Sequence, residues 1–214
     1  MAKGFKSVKG EYQKGGEYYK WKDGEQTLRL VGDIVCRYVY WKKTPDGKNI
    51  AFECLGFDRD LEKFTNIEKD WFQTMFPEQK CSWSYVARAI HPDDEAKTIL
   101  VPLKKKLYQQ IQEVAEDLGD PTDIDTGWDC IVMRTVTGAH AFNVEYSLKQ
   151  LKCKTRELNP VERAAVAEMP DIDSLVPRQT PEDQRAQINQ LFFSADDQTE
   201  VDTNSTETFD DVPQ

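Results

Sequence analysis

Apolar and polar residues alternate with a period of two along much of the chain, and that spacing predicts strands. Thr27–Val31 sets Leu28 and Leu30 on one face and Arg29 on the other. Ile34–Trp41 is β-branched and aromatic, Thr44–Lys48 (TPDGK) reads as a turn, and Asn49–Cys54 returns as the hairpin partner. Ser82–Ile90 is the third main strand, His91–Asp94 a turn, and Lys97–Leu103 its continuation or a paired strand. Trp128–Val136 and Phe142–Leu151 form two more strands, joined across Thr137–His140. The period changes to that of a helix at Lys104–Leu118, where Leu107, Ile111, Val114, Ala115 and Leu118 make one stripe and Gly119 supplies the stop. In residues 58–79, Leu61, Phe64, Ile67, Trp71, Phe72 and Phe76 recur every three or four positions, which predicts short helices. Beyond Lys154 the chain turns polar, with one short helix expected at Pro181–Phe193.

About five strands, an inserted helix and no βαβ repeat exclude a doubly wound α/β fold. They predict a mainly β chain: a small Greek-key barrel of the OB type, which closes with few strands and tolerates inserted helices. Charge then divides the chain. Residues 157–214 hold 14 acidic and 3 basic side chains, whereas residues 1–156 hold 24 and 25, within an overall charge of −10 over 214 residues. The last 21 residues carry seven acids and no Lys or Arg. Such a stretch cannot bury enough apolar surface to offset its ordering entropy, so a disordered acidic tail is expected. At the other end, Lys3, Lys6, Lys9, Lys14, Lys20 and Lys22 interleave with Phe5, Tyr12, Tyr18, Tyr19 and Trp21, and four glycines argue against a helix. The expected units are a basic flexible arm (1–25), an OB domain (26–156), a polar extension with a short helix (157–193) and the tail (194–214).

No apolar run exceeds four residues, far below the roughly 20 of a membrane-spanning helix. The start of the chain lacks a secretory apolar core, so a soluble intracellular protein is expected. Cys36, Cys54, Cys81, Cys130 and Cys153 contain no C-x-x-C pair, and only His91 and His140 accompany them. Free, partly buried thiols are expected, with no metal site and no cofactor. No phosphate-loop, dinucleotide, nucleophile-elbow or zinc-protease motif occurs, so the chain does not read as an enzyme.

Aromatic and cationic residues instead share the same strands, the mixture that single-strand binders use: cations track phosphates while rings stack on bases. The candidates are Arg29, Arg37, Tyr38, Tyr40, Trp41, Lys42 and Lys43; then Trp83, Tyr85 and Arg88; then Lys104 and Lys105 at the helix start. The last hairpin adds Arg134, Phe142, Tyr146, Lys149 and Lys152. Alternation places Tyr38 and Tyr40 on one face and Arg37 and Trp41 on the other, and about half of the rings are expected in the core.

The order of several segments resembles the single-stranded DNA-binding proteins of bacteriophages, specifically relatives of the gene 32 protein of T-even phages. These segments are Gly24–Leu30, the aromatic hairpin ending in Phe52-Glu-Cys54, Ser84–Ile90, the Lys-rich start of Leu103–Leu118, and above all Gly119-Asp-Pro-Thr-Asp-Ile-Asp-Thr-Gly-Trp-Asp129. The resemblance implies sequence-nonspecific coating of single-stranded DNA in phage replication, recombination and repair, within the cytoplasm of the infected bacterial host. It also implies self-association on DNA through a basic N-terminal segment, and recruitment of phage or host replication and recombination proteins by the tail. The tail tip Phe209-Asp210-Asp211-Val212-Pro213 looks like that of bacterial single-strand binding proteins, except that Gln214 stands where those end in Phe. The T-even zinc site is not carried over, because no C-x-x-C follows Cys54. An OB-fold protein-binding adaptor and an RNA-binding protein remain as alternatives.

Overall fold

The computed structural model describes residues 17–139 and 143–193. The first part of the basic arm, His140, Phe142 and the acidic tail with its Phe209–Pro213 tip lie outside the described residues. The barrel is organised by one long strand, β1 (Gly24–Lys43), which joins the two strands expected at Thr27–Val31 and Ile34–Trp41. Gly32 adopts φ +64°, and the pairing register slips between Val31 and Val35, so the chain bends there and continues. A short hairpin partner, β2 (Asn49–Glu53), follows. Next come the two-residue strands β3 (Phe57–Asp58) and β4 (Lys63–Phe64), and helix α1 (Trp71–Met75). Then come β5 (Ser82–His91), β6 (Asp94–Leu103), α2 (Lys105–Leu118), β7 (Asp129–Val136) and β8 (Val144–Leu148).

The main sheet runs β6-β5-β1-β7-β8, with β2 added on β1 and every ladder antiparallel. The first half of β1 pairs with β7 and the second half with β5 and β2. With α2 linking β6 to β7, this is an OB-like, partly open Greek-key barrel with a large insert after its first strand. Residues expected in the flexible arm take part in it. Tyr19 N donates to Leu100 O (2.7 Å) and Leu100 N to Glu17 O (2.9 Å), a parallel bridge along the free edge of β6. Trp21 Nε1 donates to Pro102 O (3.0 Å), and its ring meets Tyr146 of β8 edge-on at 5.2 Å. The segment therefore spans the seam between the edge strands, which would otherwise leave unpaired backbone groups.

Inside the barrel, Leu28, Leu30, Ala87 and Val101 pack together, and Leu107, Ile111 and Val114 of α2 cap one end. The C-terminal extension covers the outer face with α3 (Pro160–Ala167) and α4 (Ile172–Leu175), whereas its α5 (Pro181–Phe192) packs on α1 and on Phe52 of β2. Ile172 and Val176 pack on Val35, Val86 and Leu100, and Leu158 on Val31 and Ile90. The helix α3 was not expected, although Asn159 and Glu162 form a capping box at its start. The helices expected over residues 58–79 shrink to α1. Gly56 O accepts from both Thr65 N and Asn66 N (3.0 Å each), and Glu62 and Asn66 turn left-handed (φ 47° and 52°), so residues 57–64 fold back as a hairpin. All five cysteines are free thiols, four of them buried. Among the described residues, no helix is long and apolar enough to cross a membrane.

Arg156 ties the extension to the barrel, with Nε 2.8 Å from Asp129 Oδ2 and Nη1 2.7 Å from Glu162 Oε2. The guanidinium, helped by Asn159 N, holds the buried Glu162 carboxyl below its ordinary value of 4.5. A depressed folded-state value adds stability that is complete above the unfolded value and is lost as pH falls through the folded one. Glu162→Gln should therefore lower the thermal midpoint at pH 7, and the gap between variant and wild type should narrow progressively below about pH 4.5. A gap independent of pH would show that the pair contributes no proton-linked stability.

Candidate nucleic-acid interface

At the end of the barrel where β1, β5 and the start of α2 meet, rings form a row. Tyr38 lies 4.3 Å from Trp83 and 4.7 Å from both Phe57 and Phe64. Trp83 is parallel to Tyr85 (5.7 Å, 12°), which stacks on Tyr108 of α2 (3.9 Å, 18°). Alternation explains the row. Cys36, Tyr38 and Tyr40 of β1 share the inward face, as do Trp83, Tyr85 and Ala87 of β5, and Tyr38 sits directly opposite Trp83 in the ladder. Deeper members are covered, while Tyr38 and Trp83 stay half-buried at the mouth. Burial raises the Tyr85 hydroxyl well above its ordinary value and pushes the Cys36 thiol up to about 11, so both stay neutral near pH 7. These floor groups are neutral and the Glu62 carboxylate lies close enough to raise them, so attraction for an anion has to come from elsewhere.

That source is the first turn of α2. Lys104 is the N-cap, with no side-chain cap, and Lys105 and Lys106 follow with no acidic residue in the turn. Three cations stand where the helix already presents its positive end, an arrangement that disfavours folding and favours an incoming anion. Lys105 Nζ lies 5.2 Å from the Trp83 ring centre, which places a cation over an aromatic surface. Lys104 and Lys106 line a cleft of about 570 Å³ with Tyr146, Val144 and Thr137. Lys106 meets Glu145 at 2.5 Å across it, and Trp21 flanks Tyr146. The lysine turn therefore stands between two aromatic groups, Tyr38 with Trp83 on one side and Trp21 with Tyr146 on the other.

Other candidates from the sequence sit elsewhere. Arg29 is 3% exposed and donates to the carbonyls of Pro121, Asp123, Trp128 and Arg156, so it organises the Pro121–Gly127 loop from inside. Arg88 is 2% exposed on the outer face and donates to Pro170 O beneath the extension. Tyr40, also 2% exposed, stacks on Phe72 at 4.7 Å and hydrogen-bonds with Gln73 and Asp70, because the insert closes over it. All three are covered and spend their polar atoms on protein partners, so they hold the fold in this structure. Tyr85 is buried and can only support Trp83. Arg37 and Trp41 project from the outer face, away from the row; Arg37 is half-buried and Trp41 exposed. Lys42 lies over Phe76 at 3.9 Å, near Glu78, and Lys43 is exposed at the end of β1. Arg134 pairs with Asp23 and Lys152 with Glu25, while Lys149 is half-buried beyond β8.

Phe64, Tyr108 and Lys106 are not among the binding residues that the sequence predicts, and Tyr19 and Trp21 are expected in the arm. The run Lys104-Lys105-Lys106 ahead of the stripe was the available signal, since a helix start normally favours acids. No protein-family model and no solved structure matches the chain. It is similar to a curated protein named probable ssDNA-binding protein from Escherichia phage T5, 26% identical over an alignment of 166 residues that covers 71% of this chain. The match spans 61% of that relative's length.

Proposed function

We propose that this protein binds single-stranded DNA without sequence preference, stacking bases at the Tyr38–Trp83 mouth while Lys104, Lys105 and Lys106 engage the backbone. The observation that carries the reading is Lys105 standing over the half-buried Trp83 ring at an uncapped, acid-free helix start. A base seated there has a ring to stack on and cations within reach of its flanking phosphates. The T5 relative's name supports the same ligand. The resemblance to the T-even proteins extends the reading to protection and organisation of DNA during phage replication, recombination and repair in the host cytoplasm, work that requires no turnover. The basic N-terminal segment, residues 1–22, then serves self-association on DNA. The acidic segment ending in Phe209–Pro213 serves recruitment of other proteins.

The test is fluorescence anisotropy with a labelled single-stranded oligonucleotide at two salt concentrations, on wild type and Trp83→Leu. Wild-type affinity should fall steeply with salt. The variant should bind about 5- to 100-fold more weakly, the equivalent of one stacked base, while its thermal midpoint stays within a few degrees. Absence of wild-type binding to any single strand at low salt would overturn the reading, and tighter binding to RNA of matched sequence would reassign the ligand.

A further inference from the structure

The β3–β4 hairpin lies outside the elements from which the sequence drew its binding residues, yet it completes the ring row. Phe57 and Phe64 are directly paired across it, and their rings lie 5.3 Å apart. Phe57 is buried, whereas Phe64 is 47% exposed, with one side against Tyr38 and the other open. The hairpin is held in shape at both ends. Asp58 Oδ1 accepts from Asp60 N and Leu61 N at its tip, and Gly56 O accepts from Thr65 N and Asn66 N at its foot. The left-handed backbone at Glu62 and Asn66, on either side of Phe64, is a conformation that non-glycine residues rarely adopt. A fixed, unusual turn that leaves a large ring half in water is a common trait of ligand-contacting segments.

We propose that Phe64 is a base-stacking residue: the hairpin presents it as the outer end of the ring row, where an unpaired base of the bound strand continues the stack. This deepens the proposed function and rests on it. Continuity with the Tyr38–Trp83 mouth identifies the occupant, because a base on Phe64 and a base at Trp83 flank the same tyrosine. Lys105, standing over Trp83, supplies a cation for the intervening phosphate.

The experiment compares wild type, Phe64→Ala, Phe64→Leu and Phe64→Trp on two labelled strands of equal length, one with bases and one wholly abasic. Phe64→Ala and Phe64→Leu should lose about 5- to 100-fold in affinity for the base-bearing strand and less than twofold for the abasic one. Phe64→Trp should retain wild-type affinity, because any aromatic face suffices. Leu keeps the apolar bulk, so loss in both variants separates stacking from packing. Unchanged affinity in Phe64→Ala and Phe64→Leu, or equal losses on both strands, overturns the role of Phe64 while leaving the Trp83 site standing. Wild type that binds neither strand overturns the functional reading, and this inference with it.

Discussion

Replacing Lys104 with Asp and Lys105 with Glu should cripple strand binding and make the protein more stable. Few substitutions move the two properties in opposite directions, and the reason lies in the first turn of α2. Lys104 occupies an N-cap position with no side-chain hydrogen bond, and no acid follows in the turn. An Asp there can accept from the free amides, worth about 0.5–2 kcal/mol. Glu at the next position adds about 0.3–1 kcal/mol against the helix dipole. The thermal midpoint should rise by about 2–4 °C per kcal/mol gained, as expected for a chain of this size. The two phosphate contacts proposed for these lysines become two repulsions, so low-salt affinity should fall by about 100-fold, and the slope of log affinity against log salt should flatten by about 1.4. Anisotropy titrations at four salt concentrations, alongside circular-dichroism melts, measure both. An unchanged salt slope would show that these lysines touch no phosphate. A lower midpoint would show that they have a structural role that the helix geometry does not reveal.

Glu53→Ala should be the most destabilising single change among the ion pairs. The Glu53 side chain is 4% exposed. It takes Arg59 in a two-pronged contact, Nε on Oε1 and Nη2 on Oε2, both at 2.6 Å. Arg178 Nη1 approaches the same Oε1 at 3.3 Å. Both guanidiniums also reach across the molecule, Arg59 Nη1 to Val176 O (2.8 Å) and Arg178 Nη2 to Leu55 O (2.9 Å). One carboxylate thus fastens the insert to the C-terminal extension. Removing it takes the two-pronged partner from the buried Arg59 and leaves it only Asp173 at 3.8 Å, while Arg178 keeps Glu68 at 2.6 Å. Breaking such a buried pair costs about 3–5 kcal/mol, or a drop of about 6–20 °C in midpoint. A chemical-denaturation loss below about 1 kcal/mol would show that water repairs the site, as it does at exposed pairs.

Strand alternation and the stripe on α2 were legible because both obey simple periods. The sheet kept Tyr38 and Tyr40 on one face, as two-residue spacing requires, but their depth was hidden. Tyr40 is closed over by Phe72, and Tyr38 is left at the mouth, through insert residues far away in sequence. Arg29 and Arg88 show the complementary difficulty. Their charge suggested phosphate, yet each spends its donors on backbone carbonyls contributed by later segments. Leu61, Phe64 and Ile67 have helical spacing, and all three are exposed, because the left-handed turns at Glu62 and Asn66 override the period. Asn66 is of a type that enters the left-handed region more readily than most, but nothing in the sequence marks Glu62.

The single strand β1 has a consequence for how the chain assembles. Arg29 is partnered by Asp129 and Gly24 by Arg134, whereas Val39 and Lys43 find Glu53 and Asn49 close by. As the chain is synthesised, one half of β1 can form a local hairpin at once. The other half leaves the ribosome with its edge bare and waits for most of the protein to follow. Such long-range pairing raises contact order and slows folding. During that wait the bare stretch, Gly24–Arg29, is open to pairing with another copy.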